Sequence, residues 1–132
     1  MPHVNLIAVL LCGVASLVLG GIWYSPMLFA KPWQRLTGLS DDQAKSGNIA
    51  ITFGLAFVLS LIAAYVFAMF LGTSMPLAGA VGAGFSAGLC WVGAAYGINY
   101  LFERRPLGLW AINAGYHTLQ FTLFGLIVGL MH

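Results

Sequence analysis

Charge is what this sequence has least of. Of 132 residues, 5 are Lys or Arg and 3 are Asp or Glu, against a hydrophobic share of 61%. An ordinary soluble domain carries about 25% charged residues, and a folded surface this poor in charge does not stay dispersed in water. A soluble enzyme, a disordered tail and a nucleic-acid binder are therefore all disfavoured. Cysteine is scarce too. Cys12 and Cys90 form no CxxC and have no metal-ligand spacing, so they read as small apolar packing residues near mid-depth of their helices. No glycine loop is followed by the Lys-Ser/Thr pair that cradles a phosphate. No carboxylate pair lies within the apolar runs, and Ser25 has no base backed by a carboxylate. The expectation is a protein that is not an enzyme and holds no cofactor and no metal.

What charge there is falls in two clusters: Lys31, Arg35, Asp41, Asp42 and Lys45, then Glu103, Arg104 and Arg105. A helix crosses the hydrocarbon with about 20 apolar residues. The uncharged stretches 1–30 and 106–132 each suit one crossing. The middle stretch, 46–102, suits two, with Gly72-Thr73-Ser74-Met75-Pro76 as the turn between them. The sequence thus predicts one all-α transmembrane domain over 1–132, a polytopic bundle of four helices at about 4–25, 48–71, 77–102 and 107–131. The connections 26–47 and 103–106 hold every basic residue, and the positive-inside rule makes that side cytoplasmic, with both termini outside. The first span has no basic n-region and is too long for a signal-peptide core, so it is expected to be retained.

After the first span, Trp23, Tyr24 and Trp33 have the apolar bodies and polar tips that settle at lipid headgroups. Pro26 disfavours helix at Ser25. Residues 27–39 mix apolar side chains with Lys31 and Arg35, the pattern of a segment lying in the membrane interface with its cations toward phosphates. Arg104 and Arg105 are read the same way, with Glu103 as an ion-pair partner. Ser40-Asp41-Asp42-Gln43 has the form of a capping box, so the second long helix is expected to start in water near Asp41. Gly84-x-x-x-Gly88, Gly93-x-x-x-Gly97 and Gly125-x-x-x-Gly129 each line one helix face with small residues. They serve either packing within the chain or self-association of identical chains, and a homo-oligomer is expected from them. Gly21-Ile22-Trp23-Tyr24 is echoed by Gly97-Ile98-Asn99-Tyr100. Duplication of a two-helix hairpin and coincidence in a restricted alphabet both account for that.

His117 is the one ionisable group placed deep in a span by this reading, and such a group is costly unless partnered. Asn113, His117 and Gln120 share a helix face by their spacing of four and three. Tyr96, Asn99, Tyr100 and Glu103 share one on the preceding span. With Tyr24, these groups are expected to converge in a polar pocket in the cytoplasmic half, rimmed by Lys31, Arg104 and Arg105. The candidate ligand-binding residues are His117, Asn113, Asn99, Tyr100, Tyr24 and Gln120. His117 is either a neutral imidazole bonded to Asn99, a tyrosine hydroxyl or a helix carbonyl, or a proton acceptor or ligand group in a cavity. One His with Asn and Gln is not a zinc or copper set.

The segment Gly21-x-Trp23-Tyr24-Ser25-Pro26-x-x-Phe29-x-Lys31-x-Trp33, with Asn113-x-Gly115-Tyr116-His117 in the last span, resembles the DUF1761 family. These are small bacterial integral membrane proteins with four predicted helices and no assigned activity. The resemblance spans nearly the whole chain and implies a bacterial inner-membrane protein. It carries over no catalytic residue. Where the motif often has Gly before the Lys, this chain has Ala30. Two readings follow. One is an oligomeric bundle that binds or passes a small solute or lipid through the polar pocket. The other is a structural or accessory subunit whose polar residues only lock its helices. A solvent-connected cavity at Asn99, Asn113 and His117 marks the first, and a dry, self-bonded cluster marks the second.

Overall fold

A computed structural model describes residues 4–40 and 49–131. Among these the chain is all-α, and four of its helices are long and apolar enough to cross a membrane. Helix α1 runs Leu6–Trp23, the short α2 Ala30–Thr37, α3 Ile49–Leu71, α4 Leu77–Glu103 and α5 Leu107–Met131. Asp41, Asp42, Gln43 and Lys45 lie outside the described residues, so most of the expected capping box does too.

Local chemistry sets the helix ends. The Asn5 side chain caps α1 by accepting from the Ile7 and Ala8 amides at 3.0 and 3.2 Å. The chain leaves α1 through Tyr24 and Ser25, where Pro26 blocks further helix. Gly72 ends α3 at a left-handed φ of 74°, and Pro76 stands as the N-cap of α4. Helix α2 closes on Gly38, also left-handed, and leaves Lys31 and Arg35 exposed one turn apart. This short helix falls within residues 27–39, the stretch expected to lie in the membrane interface.

Packing follows the logic of a lipid solvent. Small side chains are inside: Ala8, Ala64, Ala80 and Ala114 are buried. Large ones are outside: Phe70, Leu101 and Phe102 are each 80–86% exposed. Lipid tails are as apolar as Leu, so close backbone approach rather than expulsion of water holds such helices together. Helices α4 and α5 share the largest interface, α1 packs on both α5 and α3, and α3 reaches α5 only sparsely. The apolar core of Val9, Cys12, Ala64, Ala80, Phe124 and Val128 lies toward the end where α1 begins and α5 finishes. Cys12 is buried there as a packing residue, whereas Cys90 is exposed on the flank of α4.

The glycine faces are occupied within the chain. A methyl group on Gly84 would run into the Phe121 carbonyl oxygen, and one on Gly125 into that of Ala80. One on Gly88 would stand 2.6 Å from the His117 carbonyl oxygen. On Gly129 it would meet the Ala80 methyl at 2.9 Å, and on Gly97 the Trp110 indole nitrogen at 3.2 Å. The surfaces expected to meet a second copy are thus filled by α4 and α5 themselves.

One feature of α4 follows from glycine spacing. Gly84 and Gly93 are nine residues apart, which at 3.6 residues per turn puts them about 180° apart on an α-helix. Yet Gly84 meets α5 at Phe121, and Gly93 meets it at Ala114. The residues between, Ala87–Gly93, form a π-helix. Its wider turns take up the excess rotation and bring both glycine pairs onto one face.

Candidate functional site

The polar residues gather in the half of the bundle away from the apolar core, where α1 and α4 end and α5 begins. They form two layers.

In the layer nearer the basic end, the Tyr24 hydroxyl donates to Asn113 Oδ1 at 2.7 Å, and Asn113 Nδ2 donates to the Tyr100 hydroxyl at 2.7 Å. One amide thereby joins α5 to the end of α1 and to α4. The Tyr24 ring meets Trp33 edge-on at 6.0 Å and lies 5.6 Å from Tyr116. The Trp23 indole donates to the Ile112 carbonyl at 2.8 Å, and its ring lies against Gly115, where a Cβ would stand 3.0 Å from it. Trp23 is therefore a clasp between helices as well as a residue at the expected headgroup level. The Trp110 indole donates in the same way to the Gly93 carbonyl at 2.8 Å, at the end of the π-helical turns.

The deeper layer centres on His117 and Gln120. His117 Nδ1 is 2.7 Å from Gln120 Oε1, and its Nε2 is 3.3 Å from the Tyr96 hydroxyl. Gln120 Nε2 donates to Ser16 Oγ at 2.9 Å and to Ser60 Oγ at 3.4 Å. The amide oxygen must then be the acceptor, which assigns the imidazole proton to Nδ1 and leaves Nε2 to accept from Tyr96. Ser16 passes its own proton to the Cys12 carbonyl at 2.9 Å, and the Tyr116 hydroxyl donates to the Ser16 carbonyl at 2.8 Å. Tyr96 stacks on the imidazole at 5.2 Å, and Tyr116 meets it edge-on at 4.9 Å. Gln120 thus ties α5 to α1 and α3, while His117 ties it to α4.

Five of the six residues expected to converge take part: His117, Gln120, Asn113, Tyr100 and Tyr24. Asn99 does not. It is exposed on the outer flank of α4, in a shallow groove with Trp91, Val92 and Tyr96. Of the partners expected for His117, the structure gives a tyrosine hydroxyl, that of Tyr96, and not Asn99. Gly93, Tyr96, Gly97 and Tyr100 make up the inward stripe of α4, and Asn99 falls about 60° beyond its edge at 3.6 residues per turn. Sequence reasoning passed over Asn5, Ser16 and Ser60, and named Tyr116 only within the last-span motif. Asn5 Nδ2 donates to the Met131 carbonyl at 2.8 Å and closes the far end of the α1–α5 pair. No local sequence signal marks Ser16, whose burial on the α1 face opposite Gln120 shows only in the structure.

Lys31, Arg35, Arg104 and Arg105 are exposed, and Arg105 Nε donates to Glu103 Oε1 at 2.9 Å. Among the described residues, no three His, Cys, Asp or Glu side chains come together as a metal set, and every buried side-chain nitrogen and oxygen has a hydrogen-bond partner. The arrangement is suited to holding helices at fixed depth and rotation.

No curated protein and no solved structure matches the chain. A family model described as a protein of unknown function, DUF1761, matches residues 7–129. With four helices fit to cross a membrane and a match over nearly its full length, the chain belongs to the DUF1761 family of proteins of unknown function.

Proposed function

We propose that this protein is a non-catalytic structural or accessory subunit of the bacterial inner membrane, and that its intramembrane polar residues serve as a helix lock. One observation carries the reading: among the described residues, every buried side-chain nitrogen and oxygen already has a hydrogen-bond partner within the chain. A binding site keeps donors or acceptors unpaired, or paired with displaceable water, until its ligand arrives. The bonds also link helices rather than face one recess, since Asn113 joins three segments and Gln120 joins three helices. Beyond Gln120, the line of polar side chains gives way to Cys12, Phe124 and Val9. That apolar plug favours a lock over a path for a solute or proton. The concentration of basic residues at one end orients that end toward the cytoplasm.

The test is a ligand screen on the detergent-solubilised chain, read by thermal unfolding, alongside His117→Phe and Asn113→Leu. The expected result is a lower midpoint for both variants and no water-soluble small molecule that raises the midpoint of the wild type. A compound that stabilised the wild type but neither variant would replace the lock with a solute site.

A further inference from the structure

Where α4 turns into α5, the surface opens into a cleft of about 240 Å³. It is lined by Gly97, Tyr100, Leu101, Arg105, Leu107 and Trp110, and by chain order Gly97 and Trp110 lie farthest from the turn and Arg105 in it. Gly97 stands six residues before Glu103, so the cleft reaches roughly 9 Å toward the hydrocarbon at 1.5 Å per residue. Leu101 and Leu107 are 80% and 78% exposed, so both face the lipid. The cleft is thus graded along the membrane normal, with a guanidinium at the water boundary and apolar wall below it.

The cation is held but not consumed. Its guanidinium carbon lies 5.6 Å over the Tyr100 ring, and only its Nε bonds Glu103, in an ion pair whose side chains are 45% and 51% exposed. Arginine has five N–H donors in a planar fork that matches phosphate oxygens. Exposed ion pairs are worth ~0–1 kcal/mol and exchange readily. Arg104 precedes it in a left-handed conformation, with its side chain exposed at the same level. Two arginines above an apolar, lipid-open slot complement one ligand: a negatively charged headgroup that carries an acyl chain.

We infer that this cleft is a binding site for an anionic phospholipid, its phosphate on Arg105 and Arg104 and one acyl chain along Leu101, Leu107 and Trp110. The site shares Tyr100 and Trp110 with the helix lock, but its charged groups lie outside that network.

The experiment uses the full chain in detergent, titrated with phosphatidylglycerol and, separately, with phosphatidylcholine, and read by thermal unfolding. Phosphatidylglycerol should protect the chain and phosphatidylcholine should not. Arg105→Gln should weaken the protection roughly tenfold, and Glu103→Gln, which releases the guanidinium, should strengthen it. Phosphatidylglycerol with brominated chains should quench tryptophan emission in the wild type, and the quenching should fall in Trp110→Phe. Equal protection by the two lipids, selectivity that survives Arg105→Gln, or quenching unchanged in Trp110→Phe would each overturn the assignment. Protection by inorganic phosphate alone would reduce the site to an anion site. A Leu107→Cys variant that cross-links to a second copy would show that another chain covers the cleft, and that too would end the lipid proposal.

Discussion

Tyr24 and Tyr100 close on the two ends of one amide. The first gives its proton to Asn113 Oδ1, and the second receives one from Asn113 Nδ2, both at 2.7 Å. These are the two tyrosines of the internal echo, each at the foot of a helix running in the same direction, and α5 reaches between them with a side chain that is donor and acceptor at once. Asn113→Leu is therefore expected to lower stability by about 1–3 kcal/mol, since it leaves two hydroxyls unpaired. Asn113→Asp keeps the acceptor for Tyr24 and loses the donor to Tyr100. Unfolding of both variants in detergent or in lipid, followed by helical circular dichroism, checks this. A loss below about 0.5 kcal/mol for Asn113→Leu contradicts it.

Gln120 and Ser16 form a pair suited to a double-mutant cycle. Gln120→Leu leaves Ser16, Ser60 and His117 Nδ1 without their partner, so a loss of about 2 kcal/mol is expected. Removing one partner of a buried hydrogen bond costs more than removing both. Ser16→Ala combined with Gln120→Leu should then be less destabilised than the sum of the single changes. Strict additivity would mean that the two side chains are not coupled.

The glycines of α4 should separate into two groups. Gly88→Ala sets a methyl 2.6 Å from the His117 carbonyl oxygen, whereas nothing lies within 4 Å of a Cβ on Gly82. The expected result is a loss of about 1–3 kcal/mol for Gly88→Ala, from forcing α4 and α5 apart. Gly82→Ala is expected to be neutral or to gain up to about 1 kcal/mol from helix propensity. Thermal midpoints of the two variants decide it.

Arg104 sits at the C-cap of α4 with φ of 59°, where glycine is at ease and other residues are strained. Arg104→Gly should stabilise the chain by roughly 0.5–1 kcal/mol. It should also weaken the response to phosphatidylglycerol. A gain in one measurement and a loss in the other would separate strain in the turn from the use of the side chain.

Much of the architecture was legible because the bilayer leaves little choice. Charges cannot sit in hydrocarbon, so their clusters at 31–45 and 103–105 marked the connections and the gaps between them the helices. Gly72 and Pro76 marked the turn by their own backbone limits. The Asn113–His117–Gln120 face was legible from helical spacing alone. The partners of that face were not. Serine and tyrosine hydroxyls occur throughout the spans, and nothing local distinguishes Ser16, which meets α5, from a serine that bonds only its own helix. Asn99 was misplaced because a polar residue one position from Tyr100 looks equally inward until the stripe on α4 is known to be narrow. The glycine pairs were visible. That they grip α5 rather than a second chain depended on the five-residue step from Gly88 to Gly93, which departs from the four-residue step on either side.

That step gives the wide coil at Ala87–Gly93 a consequence for how this helix tolerates change in length. The coil stores a spare residue. Shortening it by one, as by deleting Val92, would let the whole rod adopt ordinary pitch with everything downstream still on its present face, whereas tightening the coil at its full length would swing everything downstream by about a quarter of a revolution. Tyr96 and Tyr100 would then turn away from the imidazole and the amide they serve, and the lipid-facing slot beside Trp110 would turn with them.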